Sequence, residues 1–144
     1  MSQAPRAMET WATLHRAHAR VMAELSRRME RQRGVSVLEH GSLYELNSAA
    51  GRSLRMAALA ERLGLSPSAT TRLVDRLEER GWVHRQSPRE NRRAINVIIT
   101  TGGRRAYVCN NRPFTAVVEQ ALGARLSEAE MATLVGLLGR LCDE

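Results

Sequence analysis

Cysteine and long apolar runs are scarce in this sequence, and lysine is absent. The two cysteines, Cys109 and Cys142, are 33 positions apart and make neither a disulfide framework nor a zinc ribbon. No uninterrupted apolar run approaches the roughly 18 residues that a membrane span requires. Residues 1–10 contain no apolar run typical of a signal peptide. We therefore expect a cytoplasmic protein that does not span a membrane.

Sequence motifs of the common enzyme classes are also missing. The chain contains no GxSxG, HExxH or P-loop motif and no dinucleotide-binding fingerprint. No combination of histidine, carboxylate and nucleophile stands out. We expect a protein that is not an enzyme and that needs no cofactor.

Positive charge is what the sequence has in excess. Its 144 residues include 22 basic side chains, all arginine, and 15 acidic ones, which gives a net charge of +7. The length favours one domain, and the 43% of apolar residues is typical of a folded protein. Residues 52–93 hold ten arginines and only five acids. This concentration indicates a polyanionic partner, although the choice of arginine over lysine could reflect a GC-rich genome.

The N-terminal third reads as two helices. Apolar residues at spacings of three and four predict a helix over residues 8–33, which Gly34 would end. Ser36 and Glu39 form a capping box that predicts the start of a second helix.

The middle third predicts two short helices and then two strands. We expect a third helix over 53–63 with Ser53 as its N-cap, and a fourth from Ser66 to about Arg80 with Pro67 in its first turn. Trp82 to Arg85 is typical of a short strand. The β-branched residues within 94–100 predict a second strand that completes a hairpin.

The C-terminal third predicts two more helices, the first over 100–123 with a kink or an interruption at Pro113. Ser127 and Glu130 make a capping box for the last helix. The predicted fold is mainly α, a winged helix-turn-helix with the order α-α-α-α-β-β-α-α. The winged helix-turn-helix lobe would cover residues 53–100. Residues 8–34 and 101–144 would be N- and C-terminal dimerisation helices, because their apolar stripes exceed what one small core can cover.

The fourth helix and the hairpin carry the residues suited to DNA. On a helical wheel, Ser68, Thr71, Arg72 and Asp75 point away from the apolar face, as in a helix that enters a major groove. A solvated helix face would explain this pattern equally well. The hairpin tip favours DNA, because Arg85, Arg89, Arg92 and Arg93 are opposed only by Glu90 and arginine suits a minor groove.

Three ordered motifs between residues 59 and 103 resemble the multiple antibiotic resistance regulator (MarR) family of bacterial transcription factors. Residues 71–83 (TRLVDRLEERGWV) are similar to the family's recognition-helix motif. Residues 87–94 (SPRENRRA) are similar to its D-x-R wing tip, and residues 99–104 (ITTGGR) to the entry of its fifth helix.

This resemblance implies a homodimer that binds double-stranded DNA at a pseudo-palindromic operator. The implied recognition-helix contacts are Ser66, Ser68, Thr70, Thr71, Arg72 and Arg76. The implied wing contacts are Arg89, Asn91, Arg92 and Arg93, with Arg93 in the minor groove. Asn91 stands where the family usually has an aspartate that braces the wing arginine, so no charged brace is expected here.

Members of the family commonly respond to a small molecule, a metal or an oxidant. The resemblance implies an effector cleft for which the candidate residues are Trp11, His15, Arg16, His40 and Tyr44. Arg16 or Arg20 would suit a carboxylate ligand. His15 and His18 lack a third ligand, so we expect no metal site. We expect the cysteines to pack in the core or at an interface.

Two functions remain open at this point. The first is a transcriptional regulator, more specifically a repressor that a small-molecule effector releases from DNA. The alternative is an effector-independent or architectural DNA-binding protein.

Overall fold

The computed structural model describes residues 4–142, without the side chains of residues 32 and 33. The described chain divides into two compact units. One unit contains residues 33–112. The other is made from the two outer segments, whose described residues are 4–32 and 113–142. No helix in residues 4–142 is both long and apolar enough to cross a membrane.

The unit made from the two outer segments is helical. Helix α1 covers Ala4–Arg33, four residues longer at its N-terminus than predicted. Helix α5 covers Thr101–Val118 and is not interrupted at Pro113, and its residues from 113 onward belong to this unit. A π-helical turn, Glu119–Gly123, occupies the part of the chain that we expected to continue α5. Helix α6 covers Glu128–Cys142, and its predicted capping box is present, with the Glu130 carboxylate accepting from the Ser127 N–H.

The other unit contains a winged helix-turn-helix. Its helices are α2 (Val37–Ser48), α3 (Met56–Leu63) and α4 (Pro67–Glu79), followed by the first part of α5. Strands β1 (Ser53–Arg55), β2 (Val83–Gln86) and β3 (Asn96–Ile99) form an antiparallel sheet in the order β1-β3-β2. The predicted mainly α fold is confirmed, with one strand more than predicted.

The prediction that Ser53 caps a helix is wrong. Ser53 lies in β1 opposite Ile98, and Leu54 lies opposite Val97 of β3. Helix α3 begins only at Met56, whose N–H donates to the Ile95 carbonyl oxygen at 2.9 Å. Pairing with a strand more than forty residues away outweighs the local capping preference of serine.

One hydrophobic core holds the helices of this unit on the sheet. The core side chains are Leu43, Leu46, Leu59, Leu73, Val74, Leu77, Val83, Val97 and Ile99. They come from α2, α3, α4 and two of the strands, so the same core fixes both α4 and the hairpin of β2 and β3.

The turn between α3 and α4 sets the direction of α4. Gly64 adopts a left-handed conformation at φ 63°, and the Leu65 N–H donates to the Ala60 carbonyl oxygen at 2.9 Å. Ser66 then accepts from the Ala69 N–H, and Pro67 occupies the first turn of α4 as predicted.

Candidate nucleic-acid interface

The exposed face of α4 carries two arginines that are free of carboxylates. Arg72 and Arg76 lie one helical turn apart and both are exposed, whereas Leu73, Val74 and Leu77 are buried. Within residues 4–142, neither guanidinium forms an ion pair. This face can therefore offer two unneutralised cations to an anion.

The hydroxyl groups at the start of α4 are already partly engaged. The Ser66 oxygen caps the helix and lies 3.3 Å from the Ser68 hydroxyl. The Thr71 hydroxyl donates to the Pro67 carbonyl oxygen at 3.0 Å. All three residues are exposed, so their hydroxyl groups are accessible to a base edge or to water.

Thr70, one of the predicted DNA contacts, is buried in this structure. Its side chain is only 1% exposed, and its hydroxyl donates to the Ser66 carbonyl oxygen at 2.9 Å. Thr70 shares the inner face of α4 with Leu73, Val74 and Leu77. Their spacing of three, four and seven residues was visible in the sequence and is the signal that we missed.

The wing is the polar loop between β2 and β3. Arg89, Arg92 and Arg93 are all exposed there, and no carboxylate in the described part of the chain pairs with them. Glu90, in the same loop, is also exposed. The tip therefore keeps most of its positive charge available to a ligand.

Asn91 organises the wing through its side-chain amide. Its side-chain Oδ1 accepts the Arg93 backbone N–H at 3.1 Å. Its backbone carbonyl oxygen accepts the Ala94 N–H, also at 3.1 Å. The Asn91 N–H donates to the Pro88 carbonyl oxygen at 3.2 Å. This turn holds the backbone of Arg93 without the charged brace that an aspartate would provide.

Arg85 does not belong to the free cations of the wing, contrary to the sequence-based expectation. Its guanidinium donates to Asp75 Oδ1 and to Glu78 Oε2, both at 2.6 Å, and to the Thr71 carbonyl oxygen at 3.3 Å. Its backbone N–H also donates to Glu78. Arg85 thus pairs with two acids of α4, offsets one of their two negative charges and ties β2 to that helix.

Two of the predicted effector residues, His40 and Tyr44, lie beside Tyr107 in the unit of residues 33–112. His40 is 1% exposed and stacks on Tyr107, with ring centroids 5.4 Å apart. Tyr44 is exposed, and its ring centroid lies 6.4 Å from that of Tyr107. Desolvation by burial lowers the pKa of His40, although a hydrogen bond with Asn111 opposes this shift. His40 is therefore packed, whereas Tyr44 remains accessible. Sequence reasoning did not identify Tyr107.

The other three candidates lie on α1. Trp11 is exposed and its ring lies 5.7 Å from that of His15, while Arg16 is exposed one residue further along. No cluster of three metal-ligating side chains occurs among the residues that the structure describes. Cys109 and Cys142 are exposed rather than packed in a core.

Comparison with known proteins points to one family. Residues 33–94 match the model described as the MarR family. A putative transcriptional regulatory protein for the hcr operon of Thauera aromatica is 32% identical over 130 residues, which cover 89% of this chain and 75% of the relative. The transcriptional repressor MprA of Escherichia coli K12 is 29% identical over 82 residues, which are 57% of this chain and 47% of MprA.

The fold is also similar to that of a regulator solved with DNA. The structure of Sco3205, a MarR family transcriptional regulator from Streptomyces coelicolor in complex with DNA, superposes with a TM-score of 0.83. The match covers 94% of this chain and 84% of Sco3205 at 25% sequence identity.

Proposed function

The chain belongs to the MarR family of transcriptional regulators, and from this premise we propose that it represses transcription by binding a pseudo-palindromic operator as a homodimer. Helix α4 would lie in the major groove, with Ser66, Ser68, Thr71, Arg72 and Arg76 as contacts. Arg89, Asn91, Arg92 and Arg93 of the wing would contact the minor groove or its phosphates. Members of this family are regulators rather than enzymes.

The observation that carries this proposal is the distribution of paired and unpaired charge. Of the three exposed acids of α4, Asp75 and Glu78 share Arg85 as their counter-ion, and Glu79 forms no ion pair within the described residues. The arginines at positions 72, 76, 89, 92 and 93 keep their charge, and they lie on the two elements that a winged helix presents to DNA. A protein partner would not require such a concentration of free guanidinium groups.

The homodimer is supported by apolar side chains that one chain leaves in solvent. Val135 and Leu141 of α6 are 71% and 73% exposed, and Leu137 lies on the same helix. Val108 of α5 is also exposed. Apolar exposure concentrated on one helix marks an interaction surface, and a two-fold dimer would cover it.

Repression is proposed because MprA is named a transcriptional repressor. Release by a small-molecule effector is part of the same proposal, with Tyr44 and the α1 residues Trp11, His15 and Arg16 as candidates. The proposed location is the cytoplasm, where the operator is. The alternative, an effector-independent or architectural DNA-binding protein, would bind DNA without responding to any small molecule.

Sedimentation and footprinting together test the homodimer on its operator. Equilibrium sedimentation should give a mass of twice 16.1 kDa. DNase footprinting on the DNA upstream of the chain's own gene should show two protected half-sites, with centres about 10 base pairs or a multiple of that apart. A monomeric mass, or protection without two-fold symmetry, would refute the proposed mode of binding.

We expect Arg93→Ala to weaken operator binding by about 1–3 kcal/mol per half-site, because it removes a minor-groove contact. Fluorescence anisotropy at fixed salt measures the change. Arg31→Ala is the matched control, since it removes one exposed arginine of α1 and the same charge. If both variants bind as the wild type does, the role given to the wing is incorrect.

Arg72→Ala should also weaken binding, and the pattern of loss identifies what Arg72 contacts. A guanidinium that forks onto a guanine edge discriminates against other bases by about 1–3 kcal/mol. We expect the loss on the operator to exceed the loss on scrambled DNA. Equal losses on both DNAs would place Arg72 on a phosphate and remove it from base recognition.

A further inference from the structure

The unpredicted strand β1 carries an arginine at the end of the sheet that is nearest the wing. Arg55 is the last residue of β1 and pairs with Asn96 of β3, which also pairs with Gln86 of β2. Gln86 ends β2 and Asn96 begins β3, so the wing leaves the sheet at these two residues. Arg55 therefore lies at the base of the wing, one strand spacing, about 5 Å, from β3.

The side chain of Arg55 belongs to the outer face of the sheet. Val97 is buried in the core, and Leu54 packs against that core. Because side chains alternate along a strand, Arg55 and Asn96 point to the opposite face. Arg55 and Gln86 are exposed and Asn96 is half-buried. This row is a polar surface that continues from the wing onto β1.

The positive charge of Arg55 is not offset within the chain. Among the residues that the structure describes, its guanidinium forms no ion pair and no hydrogen bond. The first turn of α3, which follows Arg55, contains no acid. Glu61 is six residues further, about 9 Å along that helix. The other exposed acids of this unit that form no ion pair are Glu79, at the end of α4, and Glu90, in the wing among three arginines.

Arginine is an unfavourable residue for the fold at this position. Arg55 is the N-cap of α3, and its side chain makes no capping hydrogen bond. Serine, threonine, aspartate or asparagine would accept an N–H of the first turn there and stabilise the helix. The helix dipole also opposes a positive charge at a helix N-terminus. Because neither packing nor capping explains the arginine, its charge is available to a partner outside the chain.

We propose that β1 supplies a third point of contact with DNA, at which the Arg55 guanidinium binds a backbone phosphate beside the minor groove that the wing enters. This inference rests on the proposed function and extends the interface beyond α4 and the wing. The minor groove is only about 6 Å wide. When the hairpin of β2 and β3 is aligned with that groove, the neighbouring strand lies over the phosphates that border it.

The order of the elements supports a phosphate rather than a base edge as the ligand. The first helix of a helix-turn-helix crosses the DNA backbone, and α3 begins directly after Arg55. A phosphate contact adds affinity and fixes the position of the protein, but it does not read sequence. Arg55 should therefore strengthen binding to every DNA duplex equally.

Anisotropy titrations of the full chain over a salt series test this contact with Arg55→Ser. The duplexes are the DNA upstream of the chain's own gene and scrambled DNA. We expect affinity to fall by about 10-fold or more near 100 mM salt on both duplexes. The slope of log affinity against log salt should become shallower by about 2 for a dimer, one phosphate per protomer.

Urea unfolding of the same variant provides an independent measurement. Arg55→Ser should raise the unfolding midpoint, because serine caps α3 and removes the cation from its N-terminus. A loss of DNA affinity together with a gain in stability excludes damage to the fold as the cause.

Two further variants are controls. Arg52→Ser removes the same charge just before the opposite end of β1, where Arg52 is also exposed and forms no ion pair within residues 4–142, and it should bind as the wild type does. Arg55→Lys keeps the charge and should retain most of the affinity and the wild-type slope.

Three results would overturn the inference. Unchanged affinity and slope in Arg55→Ser would assign Arg55 to a partner other than DNA. Equal losses in Arg55→Ser and Arg52→Ser would indicate a general effect of net charge. A loss confined to the upstream DNA would place Arg55 on a base edge. In each case the wild type still binds DNA and the proposed function stands, whereas a wild type that binds neither duplex refutes both.

Discussion

We expect Gly103→Ala to destabilise the protein by about 3 kcal/mol or more, at the upper end of overpacking effects. A Cβ atom at this position would overlap the Trp82 carbonyl oxygen and lie 2.8 Å from a side-chain carbon of Ile99. The nearest obstacle is backbone, which cannot rotate away as a flexible side chain can. The second glycine of the ITTGGR segment, Gly103, is therefore required by packing.

The junction that this variant would disturb connects the hairpin to α5. The Thr100 N–H donates to the Trp82 carbonyl oxygen at 2.9 Å. The Thr100 hydroxyl donates to the Gly81 carbonyl oxygen at 2.6 Å and accepts the Gly103 N–H at 3.0 Å. Moving the Trp82 carbonyl breaks the first of these bonds, so the start of α5 and the base of the wing lose their common anchor.

Urea unfolding of the wild type and two variants measures this effect. Gly102→Ala is the matched control, because its new Cβ would lie 3.2 Å from the Gly81 carbonyl oxygen and needs only a small shift. Gly103→Ala should have a much lower unfolding midpoint than Gly102→Ala. Similar midpoints for the two variants would show that the close approach at Trp82 is easily relieved.

The second large effect is expected for Arg85→Ala, which should weaken operator binding by about 2–3 kcal/mol per half-site. Two causes act together. Asp75 and Glu78 would face DNA phosphates without their counter-ion, and β2 would lose its tie to α4. Stability should fall by only about 0–1 kcal/mol, since partly exposed ion pairs contribute little.

Removing the acids as well separates the two causes. If neutralisation is the main role of Arg85, the triple variant Arg85→Ala/Asp75→Asn/Glu78→Gln should regain most of the lost DNA affinity. If positioning of the wing is the main role, the triple variant should bind as weakly as Arg85→Ala. Anisotropy titrations of the three proteins distinguish these results. An Arg85→Ala variant with wild-type affinity would contradict the role proposed for this residue.

Helix ends were predictable from the sequence because their causes are local. The capping boxes at Ser36 and Ser127 and the cap at Ser66 involve groups no more than three residues apart. The left-handed glycine at position 34 needs only the conformational freedom of that residue. Short-range rules are enough for such features.

Features that depend on distant partners were not predictable in this way. Strand β1 exists because residues 53–55 pair with residues 96–98. Arg85 leaves the set of free wing arginines because the fold brings Asp75 and Glu78 to it. Tyr107 joins His40 and Tyr44 from a separate helix. Each of these contacts arises only when separate secondary-structure elements pack together.

The outward face of α4, which we propose binds DNA, was predictable in outline, because periodicity shows which residues of this helix point outward. What the sequence could not show was how the charges pair. The structure leaves Arg72, Arg76 and three wing arginines without carboxylates, and this selects the residues whose substitution should matter most.

The most direct test of the account is a salt series of anisotropy titrations with the DNA upstream of the chain's own gene and with scrambled DNA. Five free arginines per protomer predict that operator affinity falls about 1000-fold or more between 50 and 200 mM salt. They also predict that the operator binds more tightly than scrambled DNA at every salt concentration. Equal affinity for both DNAs would favour an architectural role, and no binding at low salt would contradict the assignment of α4 and the wing to DNA.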